Sequence, residues 1–105
     1  MDFLLWVQQR IGRKEYLLSR HAQMERLEED IDVQDIETAV LRGKMIEEYP
    51  DDPRGHSALI SGSAGDRFIH VVCGRKDNWA IIITVYMPKP PVWETPEQRS
   101  KRGSL

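Results

Sequence analysis

The side chains best suited to proton transfer in this chain of 105 residues are its three histidines, His21, His56 and His70. They stand far apart, none at the spacing of a metal-ligand pair, and no glycine-rich phosphate loop or serine nucleophile elbow accompanies them. Such a set excludes most enzymes that can be read from a motif, but not metal-free cleavage of RNA. In that reaction the 2′-hydroxyl attacks its own phosphodiester. It needs a base for the hydroxyl, an acid for the leaving 5′-oxygen and cations for the charge that develops on phosphorus. His, Glu, Tyr, Arg and Lys suffice, and they leave no rigid motif. No cofactor and no metal is expected. The residues alone do not decide between an enzyme and a binding module.

His21 follows Arg20 and stands four residues before Glu25, with Arg26 next. On a helix that spacing pairs imidazole with carboxylate, which gives an acid/base among phosphate-binding arginines, or else an imidazole that packs or caps the helix start. His70 falls in mid-strand on the face of Phe68 and Val72. There a buried neutral imidazole with its hydrogen bond satisfied competes with a catalytic one. Tyr86, at the end of the last long strand, either offers its hydroxyl to a phosphate or packs in the core. Trp93 either stacks on a base or plugs a gap in the core. Arg67, Arg75 and Lys76 read as strand-end and turn charges, and Cys73 as inert packing.

The elements that must position these groups follow from period and punctuation. Asp2 can cap a helix bearing Phe3, Trp6, Val7 and Ile11 on one side, with Gly12 as its stop. Tyr16-Leu17-Leu18 reads as a short extended piece. Ser19 can cap a second helix with Met24, Leu27 and Ile31 on one face, and Asp32 a third with Val33, Ile36, Val40 and Leu41. After Gly43 the period changes to strands at 44–49, 57–61, 67–73 and 79–87, separated by turn formers. The last is the most hydrophobic and is expected at the centre of the sheet. Helices first and strands after argue for an α+β domain with helices on one face of a meander. The strands' other face is also apolar enough to need a cover, whether the tail, the first helix or a partner. The domain is expected over 1–92, with a polar, mobile tail over 93–105 except where Trp93 docks.

Composition fits one ordinary globular domain, 40% hydrophobic and 30% charged. One cysteine excludes an internal disulfide framework and suits a reducing compartment. No apolar run reaches the roughly 20 residues that span a bilayer, so a cytoplasmic location is expected. Between Met24 and Asp52 eleven acidic residues face three basic ones, a net −8, which leaves +6 for the remainder of a chain whose total is −2. The division either steers a polyanion to a cationic face or is solvated surface.

Two groups of residues carry a resemblance. One is Ser19-Arg20-His21-Ala22, Ile31, Asp35-Ile36, Ala39-Val40 and Gly43, running into Ile46-Glu47-Glu48-Tyr49-Pro50-Asp51-Asp52. The other is Leu59-Ile60-Ser61-Gly62, His70-Val71-Val72 and Ile83-Thr84-Val85-Tyr86-Met87-Pro88, with Trp93. Over nearly its whole length the chain resembles a widespread family of small bacterial proteins catalogued as a domain of unknown function and grouped with the RelE/ParE toxin superfamily. The resemblance implies a RelE-like fold, with N-terminal helices packed on a four- to five-stranded, mainly antiparallel sheet. It implies the toxin of a toxin–antitoxin pair, a metal-independent endoribonuclease that cleaves mRNA, commonly at the ribosome. The expected partner is a small antitoxin, which in such pairs can be a zinc-finger protein; neither membrane nor direct DNA contact is implied. His21 is the family's motif residue, with Arg20, Arg26, His70 and Tyr86 as candidates beside it. Two features depart from the pattern: Glu25 stands four residues after the histidine, where many relatives carry Arg, and the pI near 5.9 is unlike that of strongly basic ribosome-dependent toxins. The rival reading is a non-catalytic protein-binding module, or an inactive toxin relative kept as a regulator.

Overall fold

The computed structural model describes residues 2–100. Helix α1 (Phe3–Gly12) starts where the Asp2 carboxylate accepts the Leu5 N–H at 3.1 Å, and it buries Phe3, Trp6, Val7 and Ile11. Lys14, at φ 61°, turns the chain into β1 (Tyr16–Leu18). Helix α2 (Arg20–Glu28) is capped by the Ser19 hydroxyl, which accepts the Ala22 N–H at 3.0 Å. Helix α3 (Val33–Arg42) buries Ile36, Ala39 and Val40. Strands β2 (Lys44–Tyr49), β3 (Ser57–Ala64), β4 (Arg67–Lys76) and β5 (Trp79–Tyr86) follow. The five-stranded sheet has the order β1-β5-β4-β3-β2; only β1 and β5 run parallel. The chain is α+β, with helices packed on a mainly antiparallel sheet.

Three local expectations are corrected. Helix α2 does not present Met24 and Leu27 to the core, since both are exposed and Ala22 is its one buried residue. It docks through polar contacts instead, along the edge of β5 where β1 ends. Ser19 donates its N–H to the Ile82 carbonyl and its hydroxyl to that of Ile83. Glu25 then accepts the Val85 N–H at 3.0 Å, and Glu29 that of Met87 at 3.4 Å. Strand β5 is interior, but β4 holds the centre.

Nor do the side chains of β5 alternate without a break. Val72 pairs with Thr84 and Cys73 with Ile82, so Ile83 is the extra residue of a bulge. Ala80 and Ile82 before the bulge, and Val85 after it, enter the core under the helices, while Ile81 and Ile83 stay half-buried.

The core lies between the helices and the inner face of the sheet, where Ile60, Ile69, Val71 and Cys73 meet α1 and α3. Helix α3 comes so close to β3 that a Cβ built on Gly62 would stand 1.8 Å from the Ala39 carbonyl oxygen. Strands β6 (Trp93–Thr95) and β7 (Gln98–Arg99) form a separate two-stranded hairpin; the end of the expected tail, 101–105, lies outside the described residues. Among those residues no helix is long and apolar enough to cross a membrane.

The charge division along the chain becomes pairing in space. Lys14 meets Glu37, Arg67 meets Asp35, Lys89 meets Glu29 and Arg99 meets Glu47. Each pair joins the acidic segment to the basic remainder: Arg67–Asp35 and Lys89–Glu29 tie helices to the sheet side, Lys14–Glu37 ties the α1–β1 turn to α3, and Arg99–Glu47 ties β7 to β2.

Candidate functional site

Cross-strand partners share a face, and the register therefore defines the sheet's outer face row by row. One row runs Lys44, Ser61, His70, Tyr86; the next Glu47, Leu59, Val72, Thr84; the third Tyr49, Ser57, Gly74, Ile81, with Leu17 of β1 beyond. The hairpin lies over the first row at His70, while Lys44 at the row's end stays exposed. From the third row Gly74 and Ile81 enter the floor of a cleft of about 300 Å³ lined also by Ser19, Asp52, Arg54, Arg75, Lys76 and Ile83.

Of the sequence candidates, His70 and Tyr86 come together. His70 is fully buried. A carbonyl can only accept, so the 2.5 Å contact from Nε2 to the Pro96 oxygen puts the imidazole proton on Nε2. Nδ1 is then the acceptor for the Tyr86 hydroxyl at 3.2 Å. Burial pushes the imidazole below its ordinary value; the Pro96 carbonyl and Glu47 work against this and Arg99 with it. Burial pushes the Tyr86 hydroxyl up. Trp93, 3% exposed, stands edge-on to His70 at 4.4 Å, with the Arg99 guanidinium over its ring at 4.6 Å. Of its two readings, the structure matches the plug.

His21 is placed otherwise. It lies in the first turn of α2 with 67% of its side chain exposed, and its Nε2 is 3.3 Å from Glu25 Oε1, the oxygen that also holds the Val85 N–H. Arg20 beside it is exposed. Arg26 is occupied: its guanidinium donates to Gln23 and, at 3.3 Å, to the Ile31 carbonyl across the α2–α3 turn. Ser19, the N-cap of α2, lines the cleft, while His21 two residues on does not.

The rim of the cleft is mainly cationic. Arg75 and Lys76 close β4, both exposed, with exposed Trp79 opposite Lys76 across the hairpin turn; the Arg75 guanidinium lies over the Trp6 ring at 5.1 Å and donates to the Asp77 carbonyl. Arg54 forks onto Asp52 at 3.2 Å, which holds that carboxyl down at about 2. The third histidine, His56, stacks on Phe3 at 3.9 Å between ring centres and meets Glu48 at 2.6 Å. Burial pushes the Cys73 thiol up to about 12, so it stays protonated and unreactive. Among the described residues no cluster of three or more His, Cys, Asp or Glu is placed to hold a metal ion.

Sequence reasoning missed Lys44, Ser61, Glu47 and Arg54. The signal for the first two was present in principle, as polar residues falling at one register of adjacent strands, but register needs the turn geometry that the loops conceal. Comparison with curated proteins and with solved structures gave no match. Residues 18–87 match the model of a family described as "Domain of unknown function (DUF4258)", and the chain belongs to that family.

Proposed function

We propose that this protein is a toxin-type, metal-independent endoribonuclease that holds single-stranded RNA in the open cleft, with His21 as its acid/base and a small antitoxin as its partner. The observation that carries the reading is the cleft itself. An apolar floor of Gly74, Ile81 and Ile83 lies beside the cations Arg54 and Lys76, with Arg75, whose guanidinium rests over Trp6, at the same edge and an exposed indole at Trp79. A cationic groove with an aromatic platform suits a sugar–phosphate backbone with unstacked bases. The His21–Glu25 pair lies on α2, the helix whose N-cap Ser19 lines the cleft, and its exposed imidazole is open to a substrate that extends along that helix. Glu25 orients the ring, and Arg20 is the nearest further cation along the helix. The RelE-like arrangement belongs to the same proposal and is supported by the order of helices and sheet.

The test is salt-dependent binding of a single-stranded oligoribonucleotide, followed by cleavage in chelator. Single-strand contacts contribute roughly 0.7 each to the slope of log affinity against log salt. Arg75→Ala with Lys76→Ala should therefore flatten the slope by about 1.4. Cleavage should leave a 2′,3′-cyclic phosphate, and expression should arrest growth until the neighbouring gene's product relieves it. RNA affinity that is absent at low salt, or indifferent to salt, would overturn the reading in favour of a protein-binding module.

A further inference from the structure

The β6–β7 hairpin lies on the one polar row of the outer face. Lys44, Ser61, His70 and Tyr86 are successive partners on β2, β3, β4 and β5. Buried polar groups ordinarily find partners, and the hairpin supplies three contacts to this row. The Pro96 carbonyl takes the His70 Nε2 proton, the Glu97 carboxylate takes Lys44, and the Trp93 indole packs on the His70 ring. Ser61 is 4% exposed, and its hydroxyl has no hydrogen-bond partner among the described residues.

The hairpin stands apart from the main sheet. Its strands pair with each other and with no strand of that sheet. Of its ion pairs, Glu97–Lys44 is solvent-exposed and of the kind that adds little stability, while Arg99 forks onto a half-buried Glu47. It also lies outside residues 18–87, the stretch that matches the family model, whereas all four residues of the row lie inside it.

We propose that this row is a second ligand site, for a purine nucleotide, and that the hairpin fills it as a stand-in. Trp93 occupies the place of the bicyclic base, Pro96 that of a ring acceptor facing His70, and Glu97 that of the phosphate on Lys44. Ser61 is the donor that a nucleotide uses and the hairpin does not. The choice of a nucleotide rests on the RNA reading above.

Opening is linked to pH through His70. The groups facing it are Tyr86 from β5, Glu47 from β2, and Arg99 and the Pro96 carbonyl from the hairpin. The closed form holds the imidazole neutral below its ordinary value of 6.5. As pH falls through that value the opened form takes up a proton that the closed form does not, so mild acid favours opening.

The experiment is calorimetric titration of adenosine 5′-monophosphate into the full chain and into a Glu97→Ala, Arg99→Ala variant, which loosens the hairpin without touching the row's side chains. Binding should be roughly tenfold tighter in the variant, as removal of two anchors raises the open fraction. It should tighten in the unaltered chain as pH falls below the ordinary histidine value. Ser61→Ala or His70→Asn in the loosened chain should abolish the gain. Trp93→Ala, which empties the ring position, is the second route; no gain by either route overturns the proposal. Cleft binding of RNA, read through Arg75 and Lys76, separates the two readings. Its absence with the mononucleotide gain intact overturns the RNA reading alone, and the reverse overturns only the second site.

Discussion

Histidine appears here in two opposite settings. His70 is fixed in one tautomer by Tyr86 and a carbonyl, with no free nitrogen and no solvent. As packed it is a structural group. His21 is exposed and poised against one carboxylate, on the helix whose N-cap lines the cleft. Loss of one acid/base ordinarily lowers rate by roughly 10²–10⁴-fold. His21→Gln should do so here while leaving thermal unfolding almost unchanged, because its side chain covers little of the core. The check is cleavage and melting measured on the same variant. A melting point that drops while cleavage persists would take His21 out of the mechanism. Glu25→Gln is the companion: its amide oxygen can still accept the Val85 N–H, so an activity loss there reports on the imidazole and not on the docking of α2.

At the level of elements, most of the architecture was legible because periodicity is a local property of the chain. The apolar stripe of α1 and the switch to strands after Gly43 were readable, since each lies within a few residues; of the stripe expected on α3, Ile36 and Val40 are buried but Leu41 is exposed and Ala39 packs inward beside them. What was hidden depends on distant partners. The bulge at Ile83 is invisible in Ile81-Ile82-Ile83, where any of the three could point inward. Helix α2 was misread because its docking is through carboxylates onto β5, a contact 60 residues away in sequence. The cleft was unreadable for the same reason, its cations coming from two separate turns. The bulge makes a testable distinction. Ile82→Ala, a fully buried truncation, should lower stability by about 2–5 kcal/mol. Ile83→Ala, half-buried beside the cleft, should lower it by markedly less in denaturant unfolding; equal losses would refute the bulged register. The close approach at Ala39 and Gly62 also gives a packing reason for two residues of the sequence resemblance, since a side chain at Gly62 would strike backbone that cannot swing aside.

For the molecule as a whole, charge has two separable effects. In the pairs that tie the acidic segment to the basic remainder three of the four cations are exposed and the carboxylates are half-buried, and pairs so open to solvent add little stability and are screened by salt. The melting temperature should therefore move only slightly between low and high salt, while RNA affinity in the cleft falls steeply. Parallel scans of melting and binding across the same salt series check this, and a fold that weakens in step with binding would mean that the ion pairs dominate stability. The acids of α2 have one more consequence. Seen from solvent, the β5 flank of the sheet shows three residues of strand and then a helix whose glutamates already occupy the next amide hydrogens. An incoming strand from another chain finds no continuous ladder to extend there. The helix serves as a blunted margin against edge-to-edge growth on that flank.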